Sequence, residues 1–190
     1  MSQNLEIEFK NMLTKEEYQM LIHFYHIPEN DIFSQENHYF DTSDFLLKDK
    51  GSALRIRQKG GDYELTLKQP FQDGLLETNQ RLSIEEATLA ITTGKLPNGS
   101  INELISNLDI PFSKMEYFGS LLTKRAEFSY KEGLLVLDHS FYLNKEDYEL
   151  EYEVENYQDG QKLFLQFLKQ HNIPQRKIKN KIQRFYEEKR

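Results

Sequence analysis

"LEIEFK", residues 5–10, is the stretch from which the fold of this chain can be read. Leu5, Ile7 and Phe9 alternate with Glu6, Glu8 and Lys10. Side chains of a strand point to opposite faces at period two, so this is a strand with one apolar and one charged face. The apolar face needs a core. For this strand alone, water accounts for the charged face, because antiparallel sheets often leave one face wet.

The same pattern recurs along the chain. "SALRIRQKG" (52–60) sets Leu54 and Ile56 against Arg55 and Arg57. "DYELTLKQP" (62–70) sets Tyr63, Leu65 and Leu67 against Glu64, Thr66 and Lys68. "LLETNQRLS" (75–83) groups Glu77, Asn79 and Arg81, and the strand over 115–131, with an irregularity at Gly119, groups Arg125, Glu127 and Ser129. Residues 134–140 carry Asp138 on the parity of Val136, and "EDYELEYEVEN" (146–156) aligns Glu149, Glu151, Glu153 and Glu155. "QENHYFDT" (35–42) is a further, aromatic strand in which Asp41 reads as a strand-ending structural residue. Gly60-Gly61 and Asp73-Gly74 are hairpin signals, and tight turns imply an antiparallel sheet.

Helices are expected over 14–27, where Thr14 and Glu17 form a capping box and Pro28 and Asn30 stop the helix. Others are expected over 84–93, opened by Ser83 and Glu86 and stopped at Gly94, within 96–110, over 158–172 and over 175–189, with a short helical turn in 43–51. No repeat, low-complexity tract or linker interrupts the chain. The expectation is one α+β domain spanning 1–190.

Composition narrows the function. The 190 residues are 38% hydrophobic and 29% charged, ordinary for a soluble protein. Cysteine is absent, which excludes disulfides, thiolate catalysis and Cys-ligated zinc. The net charge of −7 disfavours a duplex nucleic-acid binder, yet leaves room for a locally basic site for a small anion. No apolar run approaches the roughly 18 residues of a membrane span, and the N-terminus has no signal-peptide pattern, so a cytoplasmic protein without a membrane partner is expected. His23, His26, His38, His139 and His171 show no ligand spacing, and no GxxxxGK[ST] phosphate loop exists.

Several glutamates on one strand face repel one another unless a cation or a basic partner lies opposite. Salt-bridge ladders on a wet surface account for any one strand. A closed barrel with its polar faces inward accounts for all of them together and removes the sheet edges, with helices at 14–27, 84–107 and 158–189 over the apolar faces. Such an interior offers carboxylates to a divalent cation, which takes a few of them plus water and phosphate oxygens. It also offers arginine forks to a polyanion.

The motifs "EIEFK", "YFDT", "LRIR", "LTLK", "KR", "LD" and "ELEYE" occur in that order over nearly the whole chain. This ordered set resembles the CYTH superfamily, or triphosphate tunnel metalloenzymes, which includes class IV adenylate cyclases and thiamine, inorganic and RNA triphosphatases. "HYFDT" and "NKIQRF" make the chain similar to the small bacterial members often labelled adenylate cyclases. The resemblance implies an eight-stranded antiparallel closed β-barrel, a triphosphate tunnel with surrounding helices. It implies Mg2+ or Mn2+ bound by Glu6 and Glu8 with Glu149 and Glu151, with Asp138 and Glu153 on the same acidic wall. It implies phosphate binding by Lys10, Arg55, Arg57, Lys68 and Arg125, with Arg81 on the right face and Lys181 and Arg184 closing the tunnel from the C-terminal segment. Lys177, Lys181 and Arg184 also read as a plain solvated basic stripe. The strand 75–83 departs from the fuller acidic/basic pattern of many relatives.

The function implied is a metal-dependent triphosphatase, a phosphoric anhydride hydrolase with Glu6, Glu8 and Lys10 as its catalytic set. Inorganic triphosphate is the preferred substrate, because no strand shows a device for recognising a base or thiamine. The alternatives are a class IV adenylate cyclase making cyclic AMP from ATP, and a non-catalytic module binding polyphosphate or nucleotide. A homodimer is left open.

Overall fold

A computed structural model describes residues 2–176, 178–179 and 181–189. Among them are eight strands: β1 (Ser2–Leu13), β2 (Phe33–Thr42), β3 (Ala53–Lys59), β4 (Asp62–Phe71), β5 (Gly74–Leu82), β6 (Met115–Tyr130), β7 (Gly133–Tyr142) and β8 (Lys145–Val154). They form a closed antiparallel barrel in the order β1-β5-β4-β3-β2-β6-β7-β8. The helices are α1 (Lys15–Phe24), α2 (Leu46–Asp49), α3 (Ile84–Thr93), α4 (Ser100–Ser106), α5 (Tyr157–Gln170) and α6 (Lys181–Lys189). None of them is long and apolar enough to cross a membrane.

The turns follow the sequence signals. Lys59 pairs with Asp62, so Gly60 and Gly61 form a two-residue hairpin loop with φ of 58° and 94°. Two consecutive positive φ angles are the type I′ geometry that matches the strand twist, and glycine adopts them without a Cβ clash. Thr14 Oγ1 accepts from Glu17 N at 3.2 Å while Glu17 Oε2 accepts from Thr14 N at 2.8 Å. Ser83 and Glu86 repeat this box at 3.1 and 2.9 Å. Gly94, at φ 75°, ends α3 in the left-handed conformation. Asp41 has the structural role expected of it: its carboxylate accepts from the backbone N–H of Thr42, Leu47 and Lys48 at 2.8, 2.9 and 3.1 Å, which ties the end of β2 to α2.

The chain divides into two compact units. The first comprises β1 up to Leu5 and Gln35–Leu121. Its core joins Phe40, Leu54, Ile56, Leu65 and Leu67 of the sheet to Leu47 of α2, Ala87 and Ala90 of α3, and Ile101 and Ile105 of α4, all fully buried. The second comprises Glu6–Ser34 and the chain from Leu122 on. Here Leu135, Leu137, Leu150 and Tyr152 of the sheet meet Tyr18 and Leu21 of α1 and Phe164, Phe167 and Leu168 of α5. Each buried Leu, Ile or Phe among them contributes about 1.5–3 kcal/mol by leaving water. In both units the helices cover the apolar strand faces, so the charged faces are left for the site.

The C-terminal segment departs from expectation. The helix expected over 175–189 begins at Lys181, and Lys177 lies outside the described residues. Tertiary bonds hold the preceding chain instead. Asn11 Nδ2 donates to Pro174 O at 3.1 Å and Asn11 Oδ1 accepts from Arg176 N at 2.7 Å. Arg176 also forks onto both oxygens of Glu17 at 2.7 and 2.9 Å. These bonds tie residues 174–176 to β1 and α1, and the helix starts after them.

Candidate active site

In the first unit the strand register arranges the polar face in rows. Ala53, Lys68 and Glu77 lie side by side across β3, β4 and β5. Arg55, Thr66 and Asn79 form the next row, and Arg57, Glu64 and Arg81 the one after. β2 places Tyr39 beside Arg55 and Asn37 beside Arg57. Lys68 Nζ is 2.6 Å from Glu77 Oε1, and Arg55 Nη2 is 3.5 Å from the same oxygen. Arg57 Nε donates to Asn37 Oδ1 at 3.1 Å. Burial alone would raise the Glu77 carboxyl, but Lys68, Arg55 and Arg57 outweigh it and hold the group at about 2. Arg81, at the end of its row, is exposed.

The polar face of the second unit is dominated by carboxylates. β1 sets Glu8 beside Glu153 and Lys10 beside Glu151, and β7 sets Asp138 beside Glu149. Asp138, Glu149 and Glu151 are buried, at 0%, 0% and 2% exposure, a state that ionised carboxylates reach only with partners. Arg125 grips Asp138 with two bonds of 2.7 Å and reaches Glu151 at 2.9 Å. Lys181 Nζ lies 2.6 Å from Asp138, 2.7 Å from Glu151 and 3.2 Å from Glu149. Arg184 binds Glu149 at 2.5 Å and Asp147 at 3.0 Å. Lys10 Nζ is 2.9 Å from both Glu8 and Glu151. Burial opposes the Lys10 charge, yet Glu151, Glu8 and Glu149 hold its pKa well above the ordinary lysine value.

A second group adjoins this network and shares Lys10 with it through Glu8. Glu6, Glu8 and Glu153 each offer a carboxylate oxygen, and these oxygens lie within 4.8 Å of one another. Burial, and then the negative charges of Glu6, Glu151 and Glu8, push the Glu153 carboxyl up to about 7 against the partial relief from Arg125. Three close carboxyls with oxygen donors only, and an excess of negative charge, are what a hard divalent cation relieves.

The CYTH domain model matches residues 4–186 of the chain. The chain belongs to the CYTH family. Among relatives of this CYTH chain is a Bacillus subtilis (strain 168) protein named "Putative triphosphatase YjbK", 53% identical over 190 residues, covering all of this chain and 98% of the relative. A Bacillus halodurans protein, described as a "putative adenylate cyclase", has a crystal structure that superposes with a TM-score of 0.94 at 47% identity, covering 98% of this chain and all of that one. A Hippeastrum protein, HpAC1, described as having a dominant triphosphatase activity, shares the fold at a TM-score of 0.78 and 22% identity, over 96% of this chain and 95% of its own.

The residues expected at the site fall into two sets. The structure gathers Lys10, Arg125, Asp138, Glu149, Glu151, Lys181 and Arg184 into one ion network, and sets Glu6, Glu8 and Glu153 together at its margin. It gathers Arg55, Arg57 and Lys68 around Glu77. Glu155, expected on the acidic face, lies past the end of β8 and is exposed. The sequence reading missed two partners: Asn37 for Arg57 and Asp147 for Arg184. Both were findable. Asp147 shares the parity of Glu149, Glu151 and Glu153, and Asn37 lies two residues from Tyr39 on the face that meets Arg55.

Proposed function

We propose that this chain is a divalent-metal-dependent hydrolase of triphosphate, with inorganic triphosphate as its preferred substrate and the whole of 1–190 acting as one CYTH domain. The observation that carries the reading is the opposite imbalance of two polar faces: Arg55, Arg57 and Lys68 gathered at a single carboxylate, and Glu6, Glu8 and Glu153 gathered beside an already neutralised network. The first suits phosphate oxygens, the second a cation. The 53% identical relative named as a triphosphatase supports the same activity. The single-domain reading is supported by where the chain passes from one unit to the other: within β1, β2 and β6 rather than in a linker.

In this reading Glu6, Glu8 and Glu153 hold Mg2+ or Mn2+. The cation, when bound, neutralises phosphate charge and orients the attacking water. Arg55, Arg57 and Lys68 take phosphate oxygens through charge-assisted bonds, and Arg55 and Lys68 exchange their hold on Glu77 for the substrate. Lys10, between Glu8 and Glu151, steadies the charge that develops on the phosphoryl group. Asp138, Glu149 and Glu151 keep Arg125, Lys181 and Arg184 in place, ready to shift onto a polyanion. The test is an assay of tripolyphosphate and ATP with Mg2+, with Mn2+ and with EDTA, following phosphate, pyrophosphate and cyclic AMP. Metal-dependent release of phosphate from tripolyphosphate is expected. Cyclic AMP and pyrophosphate from ATP would make the chain a cyclase, and binding without turnover would make it a binding module.

A further inference from the structure

The middle row of the first unit, Arg55–Thr66–Asn79, contains two buried polar atoms without a partner: Arg55 Nε and Asn79 Oδ1. Asn79 is only 7% exposed and Thr66 2%. Burying a hydrogen-bonding group without a partner is costly, so two in one row point to a ligand. The rows on either side each contain a carboxylate, Glu77 opposite Lys68 in one and Glu64 between Arg57 and Arg81 in the other. The middle row has no carboxylate, so within it the Arg55 charge faces only neutral groups.

The oxygen and nitrogen of an asparagine amide exchange places by a half-turn of the side chain, and that turn presents an NH2 donor where Oδ1 now lies. Arg55 and Asn79 stand two strand spacings apart, about 9.6 Å, a gap that long side chains close around an oxyanion. We propose that Asn79 is a further substrate-positioning residue, whose side-chain amide donates to an oxygen of the phosphate chain that Arg55 Nε also engages. This rests on the triphosphate reading above and adds a residue to it. A neutral donor here has a reason: an aspartate of the same shape would add a carboxylate to the one row that has none, offsetting the Arg55 charge that the substrate needs.

The experiment compares wild type, Asn79→Asp and Asn79→Ala. Tripolyphosphate binding is titrated calorimetrically in EDTA, and KM and kcat are measured with Mg2+. Thermal melts and circular dichroism check the fold. Asn79→Asp is expected to weaken tripolyphosphate binding and raise KM at least tenfold, with the fold retained, because a donor is lost and a like charge gained. Asn79→Ala is expected to give a smaller change, about threefold to tenfold, with kcat less affected than KM. Binding by Asn79→Asp as tight as wild type would overturn the inference, because it would mean that the position accepts a hydrogen bond rather than donating one. A loss of melting temperature with unchanged affinity in both variants would make Asn79 structural and overturn it too. Failure of the wild type to bind tripolyphosphate at all would overturn the triphosphate reading and this inference with it.

Discussion

Glu77 of the first unit and Glu153 of the second are the same residue type, each on the polar face of a strand and each mostly withdrawn from water. Their carboxyls are displaced in opposite directions, Glu77 to about 2 and Glu153 to about 7. Burial pushes both upward, so neighbours make the difference. Glu77 is surrounded by Lys68, Arg55 and Arg57; Glu153 lies among Glu6, Glu8 and Glu151. The contrast shows what each face lacks. Around Glu77 three cations gather at one carboxylate, an excess that suits an anion. Glu153, clustered with two further carboxyls, is pushed up to about 7, a strain that suits a cation.

The largest expected effects concern the two cores that hold these faces. Phe167→Ala in the second unit should cost about 3–5 kcal/mol, and Leu65→Ala in the first about 2–5 kcal/mol, since both side chains are buried to 1% exposure or less. If the chain is one cooperative domain, each lesion lowers a single melting transition of the whole protein. Two transitions, with only one displaced by each variant, would mean that the faces belong to independently folding parts.

Next comes the acidic corner. Glu8→Gln keeps the shape and removes a charge, so hydrolysis should fall by roughly two orders of magnitude or more, about 2.7 kcal/mol or above in the barrier. Titrating activity with Mg2+ and Mn2+ checks this. A Glu8→Gln profile that overlays wild type, or full wild-type turnover in excess EDTA, would break the assignment of this corner to a metal. On the basic face, Arg57→Ala should weaken tripolyphosphate binding by about 1.5–3 kcal/mol, the worth of a charge-assisted bond. The fold should survive, because the polar face contributes little apolar burial. Unchanged affinity with a native circular dichroism spectrum would remove Arg57 from the phosphate site.

Much of this arrangement was legible in period-two patterning. The alternation in 5–10, 52–60, 62–70 and 146–156 placed Lys10, Arg55, Arg57, Lys68, Glu149 and Glu151 on polar faces, and the capping boxes at Thr14 and Ser83 placed two helix starts. Pattern could not say how charges would be shared once the strands were in register. The family resemblance groups Glu6 and Glu8 with Glu149 and Glu151; in the structure Lys10, Lys181 and Arg184 hold the latter pair, and Glu153 joins Glu6 and Glu8. That outcome depends on cross-strand neighbours, Glu8 beside Glu153 and Lys10 beside Glu151, and on a helix from the far end of the chain. The late start of α6 was likewise invisible, because the groups that hold Arg176 and Pro174 are Asn11 and Glu17, more than 150 residues away.

The smallest expected effect bears most directly on the contrast between Glu77 and Glu153. An unfolded glutamate titrates near 4.5, so between pH 4.5 and 7 folded Glu153 keeps a proton that the unfolded chain has lost. Stability then falls as pH rises through that window, because the native state binds more protons than the unfolded one. Glu77 has the opposite sign in a different window: its contribution is present above pH 4.5 and is lost as pH falls toward 2. The two carboxylates therefore leave separable marks on a melting-temperature profile taken in EDTA. Glu153→Gln should melt higher than wild type at pH 8, where the wild-type side chain is charged among other carboxylates, and should show little advantage at pH 5. Added Mg2+ should stabilise wild type more at pH 8 than at pH 5.5, since the cation competes with the proton for the same oxygens, and should stabilise Glu153→Gln less. A Glu153→Gln profile parallel to wild type from pH 5 to 8 would mean that Glu153 ionises like an ordinary surface glutamate, and the acidic corner would then have no unmet charge for a metal to answer.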